Sequence, residues 1–270
     1  RQMCIRDRYL ITPKTVEQLT RVVKRCDEYG VPIRVLGYGS NLLVDDDGVK
    51  GAVIKLEDGD FGKTEFDGNV LTAYAGANLG KLVLGCVKKG LGGIEALTGI
   101  PGSVGGAIRM NAGGTFGDIG SAVESVTLID SQGNIFEKSK PELVFGYRTS
   151  NITAKVIVSA KMELAESEPE QLLRTIKEIW IYKKNSQPLS TKNAGCVFKN
   201  PRGMSAGALI DRAGLKGLQV GGAMVSEKHA NFIVSEKGCK SCDVKQLIKD
   251  VQEKVNSEFD VELELELEIW

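Results

Sequence analysis

The sequence predicts an α+β fold rather than a doubly wound parallel sheet, and three observations carry this. Short strand patterns are mixed with interspersed helical patterns instead of alternating regularly with them. The segment closest to a dinucleotide fingerprint, Gly37-Tyr38-Gly39-Ser40-Asn41-Leu42, puts Leu42 where the third glycine belongs and runs into strand and turn residues instead of a helix. Residues 100–114 form a glycine-dense stretch with almost no bulky side chains, against whose backbone something large can lie.

The elements follow in order. Residues 15–29 set Val16, Leu19, Val22, Val23 and Cys26 at helical spacing, and Gly30 is positioned to end the helix. Residues 31–36 read as a strand, 42–44 as another before the turn at 45–48, and 51–56 as a third. Asp67-Gly68-Asn69 turns a hairpin whose second arm is 70–75, and helix returns over 79–89. Strands are expected at 123–130 and 155–164, with a turn at 131–134 between them and residues 145–150 as an interruption. Residues 168–184 place Leu172, Leu173, Ile176 and Ile179 on a helix that bridges to a second domain. The polar loop at 185–202 has a length that is usually functional when ordered. A short helix at 205–213, strands at 222–225 and 231–235, and a helix at 244–255 complete the second domain. Residues 261–269 alternate strictly, which predicts a strand with one aliphatic face and with Glu262, Glu264, Glu266 and Glu268 on the other. Spacing alone does not single out one glutamate.

The length suits about two domains with a sizeable core. With 35 basic and 35 acidic residues, nothing points to nucleic acid or an anionic membrane. No apolar run approaches the roughly 18 residues of a membrane helix. Residues 1–8 carry neither the apolar core nor the cleavage pattern of a secretory signal, so a cytosolic, cytoplasmic enzyme is expected. Cysteines at 4, 26, 86, 196, 239 and 242 are dispersed, as in a reduced compartment. Cys239 and Cys242 form a C-x-x-C without a second pair, and His229 is the single histidine, so no metal is expected. The pair fits the turn entering a helix, while Cys26 and Cys86 read as core.

Clustered amides in the 100–114 stretch can converge on an anionic group such as a pyrophosphate; taken alone, the stretch reads equally well as a tight turn. Seven pieces in this order shift the balance: 36–44, 100–113, Gly146-Tyr147-Arg148-Thr149-Ser150, 194–201, 205–211, His229-Ala230-Asn231-Phe232 and 263–267. Together they resemble the UDP-N-acetylenolpyruvoylglucosamine reductase family, in its shorter class. The resemblance implies a vanillyl-alcohol-oxidase (PCMH-type) FAD-binding fold. Two α+β subdomains, 1–60 and 61–165, would hold the flavin. A smaller α+β substrate-binding domain would span 166–258, and 259–270 would return to the flavin region.

The implied cofactors are non-covalent FAD, since no histidine lies near the glycine-rich stretches, and NADPH as reductant. The implied partner is UDP-N-acetylglucosamine enolpyruvate, acted on by a monomer. Hydride passes from NADPH to FAD and then to the substrate's terminal vinyl carbon, so charge builds on the substrate carboxylate as an enolate. By resemblance, Arg148 and Glu266 activate the substrate and stabilise the enolate, and Cys196 donates the proton. An always-charged planar guanidinium suits a carboxylate, and a free thiol, with a pKa of about 8.5, is mostly protonated at neutral pH. FAD binding falls to Gly37, Gly39, Ser40, Asn41, Leu42, Pro101, Gly102, Ser103, Gly105, Gly106, Asn111 and Gly113, with backbone amides on the pyrophosphate. On this reading Gly105→Val abolishes flavin binding. Tyr147, Lys199 and Asn200 meet the substrate, and His229 is structural or at its rim.

The sequence departs from the family at four places. Only residues 1–8 stand where members carry a segment with a Thr and a Gly-Gly turn, from which a truncated or non-native start with weaker flavin retention is expected. Cys196 replaces a more usual serine, Glu268 a basic residue before the end at Trp270, and Ser235 an asparagine. Two rivals stay open: a non-catalytic flavin- or nucleotide-binding module, and a flavin oxidase of the same fold.

Overall fold

A computed structural model describes residues 7–270, so Cys4 and the expectations about the first residues lie outside the described part. It divides into two compact units, one of Asp7–Tyr38 and Lys50–Ile181, the other of Gly39–Val49 and Tyr182–Trp270. The 39–49 segment groups with the C-terminal part, and residues 166–181 group with the first unit.

In the first unit, helix α1 (Val16–Glu28) starts at extended Thr15, whose hydroxyl accepts from Gln18 N at 3.2 Å. It buries Leu19, Val23 and Cys26, and Gly30 takes the left-handed φ of 62° that ends it. Strand Ile33–Leu36 pairs in parallel with Val49–Lys55, which sits between it and Asp7–Ile11. Gly51 is required there, since a Cβ would lie 2.4 Å from Pro32 O and its φ is 109°.

The larger sheet has the order Ile135–Ser139, Val123–Ile129, Val156–Glu163, Val70–Tyr74, Thr64–Asp67, and its pairs are antiparallel. Residues 135–139 are a strand that the sequence reading passed over. They carry no alternating burial, with Ile135 and Phe136 both exposed, so the period-2 signal is absent. Helix α2 (Leu79–Lys88) is capped by Asn78, which accepts from Lys81 N at 2.9 Å, and buries Leu79, Leu82, Val83, Cys86 and Val87. Burial pushes the Cys86 thiol up to about 12. A short helix α3 (Val104–Arg109) packs on strand Val156–Glu163. Helix α4 (Pro169–Ser186) adds Leu172 and Ile176 to this core.

The second unit carries its own core, which includes Val197, Phe198, Leu209, Ile210, Leu247, Val251 and Leu263. Helix α5 (Ala206–Arg212) is capped by Ser205, and helix α6 (Ser241–Phe259) lies against the antiparallel strands Gln219–Val220 and Ala223–Val225. Residues 261–269 are not one continuous strand as expected. They pair with two partners in turn: Lys199 N donates to Glu264 O at 2.8 Å, and Glu268–Ile269 pairs in parallel with Leu42–Leu43. Between these, Glu266 N and Leu267 N both donate to Val197 O, so one extra residue interrupts the ladder.

Asn231, 3% exposed, fastens this unit by accepting from Phe198 N at 2.9 Å and donating to Phe198 O at 2.8 Å. Asn231→Ala leaves two buried backbone groups unpaired and is expected to cost about 2–4 kcal/mol, read as a lowered urea midpoint with unchanged slope. A loss below about 0.5 kcal/mol would show the bridge to be idle.

Candidate active site

The glycine-dense stretch owes several of its glycines to packing. Two glycines at about 1 kcal/mol each relative to alanine explain why α3 gives no helical signal in the sequence. Tertiary contacts make up the loss. Val104 N donates to Ala77 O at 3.0 Å, Gly105 N to Ala75 O at 2.8 Å, and extended Ser103 accepts from Gly106 N at 3.4 Å. A Cβ on Gly105 would lie 2.8 Å from Ala75 Cβ. The assignment of Gly105 as an amide donor to the flavin is therefore corrected: its N–H is already spent, and Gly105→Val would test folding rather than binding. Gly113 is similarly fixed, since a Cβ would sit 2.4 Å from Gly117 O in the small hairpin it forms with Asp118.

What remains suits a dinucleotide pyrophosphate. Ser103 is 4% exposed, and a Cβ on Gly37 would lie 2.2 Å from its Oγ, so the first glycine turn rests directly on the Pro101-Gly102-Ser103 loop. Gly102 takes φ 148°, open to glycine. Gly106 stays exposed on the first turn of α3, and a Cβ there would meet only Ser103 Oγ, at an ordinary 3.4 Å. The result is a bare backbone surface of small residues, open to close approach. In the second unit Gly39 also lies in the left-handed region, at φ 64°, ahead of Ser40, Asn41 and buried Leu42.

Arg148 sits in the two-residue turn that joins Phe145–Gly146 to Thr149–Ser150. Its φ of 55° is left-handed, a region that costs a side-chain-bearing residue about 1–2 kcal/mol. Its guanidinium lies 5.2 Å from the centre of the exposed Tyr147 ring. The hairpin is tied down on both strands. Asn111 Nδ2 donates to Gly146 O at 2.9 Å, and Ser150 Oγ donates to Arg109 O at 2.8 Å. The Arg109 guanidinium in turn donates to Ile152 O and to Ala154 O, the latter at 2.7 Å. Asn111 Oδ1 accepts from Gly120 N at 2.9 Å, so both ends of its amide are committed and the residue is 3% exposed. At φ 47°, just past the end of α3, Asn111 occupies a helix C′ position where asparagine is the usual substitute for glycine, a signal available in the sequence.

In the second unit Cys196 bridges to Phe232, and the carbonyl of the next residue, Val197, accepts from Glu266 N at 2.8 Å. The backbones bearing Cys196 and Glu266 are thus direct neighbours. Gly195, at φ 86°, leaves open space beside the cysteine on its own unit, and its N–H is turned onto Asn193 Oδ1 at 3.1 Å. Burial separates the glutamates that spacing could not: Glu262, Glu264 and Glu268 are exposed, while Glu266 is half-buried. Asn41 Nδ2 donates to Glu266 O at 2.9 Å, so this asparagine holds the carboxylate's backbone. Lys199 pairs with Glu264, which is 73% exposed, and such a pair is worth under about 1 kcal/mol. Asn200 Oδ1 accepts from Ala206 N at 3.0 Å and starts α5. His229 Nδ1 accepts from Asn231 N at 3.2 Å, its ring meets Phe232 edge-on at 4.9 Å, and burial holds its pKa below the usual imidazole value. Among the described residues no group of three or more His, Cys, Asp or Glu side chains is arranged to hold a metal ion, and no helix is long and apolar enough to cross a membrane.

Comparison with known proteins places these observations in one family. Residues 8–139 match the model of an FAD binding domain, and residues 187–270 match that of the UDP-N-acetylenolpyruvoylglucosamine reductase C-terminal domain. The UDP-N-acetylenolpyruvoylglucosamine reductase of Clostridium perfringens is 41% identical over 262 residues, covering 96% of this chain and 86% of the relative. That of Bacillus licheniformis is 39% identical over 263 residues, with the same coverages. The crystal structure of UDP-N-acetylenolpyruvylglucosamine reductase from Thermus caldophilus superposes with a TM-score of 0.86 at 42% identity, over 97% of this chain and 91% of that one. The mixed α+β content is that of a PCMH-type flavin fold followed by a C-terminal domain. Matched from near its first described residue to its last, the chain belongs to the UDP-N-acetylenolpyruvoylglucosamine reductase family.

Proposed function

We propose that this chain reduces the enolpyruvyl group of UDP-N-acetylglucosamine enolpyruvate to UDP-N-acetylmuramate, with NADPH as reductant and FAD as carrier, in peptidoglycan precursor synthesis. The observation that carries the reading is the half-buried Glu266 set beside Cys196 through the Val197 carbonyl, in a chain 41% identical to a named reductase along 96% of its length. When bound, FAD supplies the hydride chemistry, accepting from NADPH and delivering to the vinyl carbon.

The chain's own residues do the rest. In the first unit Gly37, Pro101, Gly102 and Gly106, and in the second Gly39, Ser40 and Leu42, would contact the flavin, offering backbone to its pyrophosphate. Ser103, Gly105, Asn111 and Gly113 would support the first of these loops through their hydrogen bonds and close packing, and the Asn41 side chain ties the second to Glu266 O. Arg148 binds the substrate carboxylate through its planar fork and stabilises the charge that collects there as the enolate forms. Glu266 shares in activating the substrate. Cys196 Sγ gives its proton to the alkene carbon that does not receive hydride, a step for which a positioned acid is worth about a hundred- to ten-thousandfold. Tyr147, Lys199 and Asn200 engage the sugar nucleotide, with the Lys199 ammonium exchanging Glu264 for the diphosphate. Residues 1–60 and 61–165 serve the flavin and 166–258 the substrate. The 259–270 segment rejoins the cofactor loop through Asn41, and the enzyme works as a cytoplasmic monomer.

Three measurements test this. Purified protein is expected to be yellow with FAD and to oxidise NADPH only when the enolpyruvyl sugar nucleotide is present. Equal consumption without that substrate would identify an oxidase, and no consumption a mere binder. Cys196→Ala is expected to bleach with NADPH yet reoxidise with substrate at least about a hundredfold more slowly, and normal turnover would remove the thiol from the mechanism. Gly106→Val adds a side chain where the fold has room; it is expected to fold normally and to lose FAD affinity at least about tenfold by fluorescence titration. Undiminished affinity would move the pyrophosphate off this turn.

A further inference from the structure

A two-residue turn has few contacts of its own with which to hold a functional side chain, and Arg148 sits in one with a strained φ of 55°. The restraint comes from residues 109–111, the last residue of α3 and the two that follow it. Asn111 takes the Gly146 carbonyl on the strand that enters the turn, and the Arg109 carbonyl takes the Ser150 hydroxyl on the strand that leaves it. Gly120, whose N–H holds the other end of the Asn111 amide, closes on the first residue of the hairpin: a Cβ there would lie 2.5 Å from the Phe145 ring. Asn111 itself is 3% exposed, with its amide nitrogen engaged by Gly146 O and its oxygen by Gly120 N.

We infer that Asn111 is a positioning residue for Arg148. By fixing the Gly146 carbonyl it fixes the entry to the turn, and with it the region the guanidinium can reach. The stretch assigned to the flavin thereby also sets the geometry of the group that meets the substrate carboxylate. This inference rests on the proposed role of Arg148.

Asn111→Asp is the test. It keeps the size, the tolerance of a left-handed φ and the acceptor for Gly120 N, but turns an oxygen instead of an N–H toward Gly146 O. In the FAD-loaded protein, reoxidation of reduced flavin by the enolpyruvyl sugar nucleotide is expected to slow about a hundredfold, and reduction by NADPH by less than about tenfold. Hydrogen exchange at the amides of 145–150, measured without substrate, is expected to quicken. The double variant Asn111→Asp/Arg148→Ala is expected to reoxidise within about threefold of Arg148→Ala alone, because the first change acts through the second residue. Losses that multiply, or a wild-type rate in Asn111→Asp, would overturn the inference. Should Asn111→Asp fail to fold, Ser150→Ala removes the other tie; an unchanged rate and unchanged exchange in that variant would equally overturn it. If Arg148→Ala reoxidises at the wild-type rate, the role of Arg148 has failed first, and the inference falls with it.

Discussion

The absence of a side chain at Gly105 is the constraint from which much of the larger unit follows. It lets α3 settle onto Ala75 at the end of the strand Val70–Tyr74, with the Gly105 and Val104 amides bonded to Ala75 O and Ala77 O. Once α3 is seated, its start and its end acquire different tasks. Ser103 at the start braces the glycine turn at Gly37, and Asn111 just past the end reaches the Arg148 hairpin. A six-residue helix too short and too glycine-rich to persist by itself is held by its packing on the sheet and its bonds to Ala75 O and Ala77 O.

The smaller unit uses the same economy with different parts. Asn231 satisfies both backbone groups of Phe198, and Asn41 reaches the carbonyl of Glu266. Both tie a loop that carries candidate chemistry to a neighbouring segment through a side-chain amide, which can satisfy a lone donor or acceptor without extending a ladder. The buried amides are therefore part of the site's construction even where they touch no ligand. Charged groups that do face outward, such as Lys199 with Glu264, are held by weak, solvent-screened pairs and are easily redirected.

Much of this was legible in the sequence, for identifiable reasons. The helices at 15–29 and 244–255 announced themselves through their apolar periodicity, and the failed fingerprint at Leu42 correctly excluded a helix after the glycine turn. The strand at 135–139 was illegible because neither of its faces is buried, and α3 because its stability is entirely tertiary. At the site, Arg148, Cys196 and Glu266 were singled out by the seven ordered pieces of the family pattern, since none stands out by residue type or spacing alone. Burial is a separate property of the folded chain, and it sets Glu266 apart from its three neighbours. Glycine composition marks close backbone approach without naming what approaches, and at Gly105 and Gly113 one approaching group is the protein itself.

The strand at 135–139 ends the large sheet on one side, and Thr64–Asp67 ends it on the other. Such borders expose unpaired amides and carbonyls to any other extended chain. Here each border strand carries charge, Glu137 and Lys138 on one and Glu65 and Asp67 on the other, and Glu137 is further engaged by Ser125 and Lys161. An incoming strand would have to bury these groups to continue the sheet. The feature that hid the 135–139 strand from a hydrophobic pattern is thus also what protects the sheet against edge-to-edge aggregation.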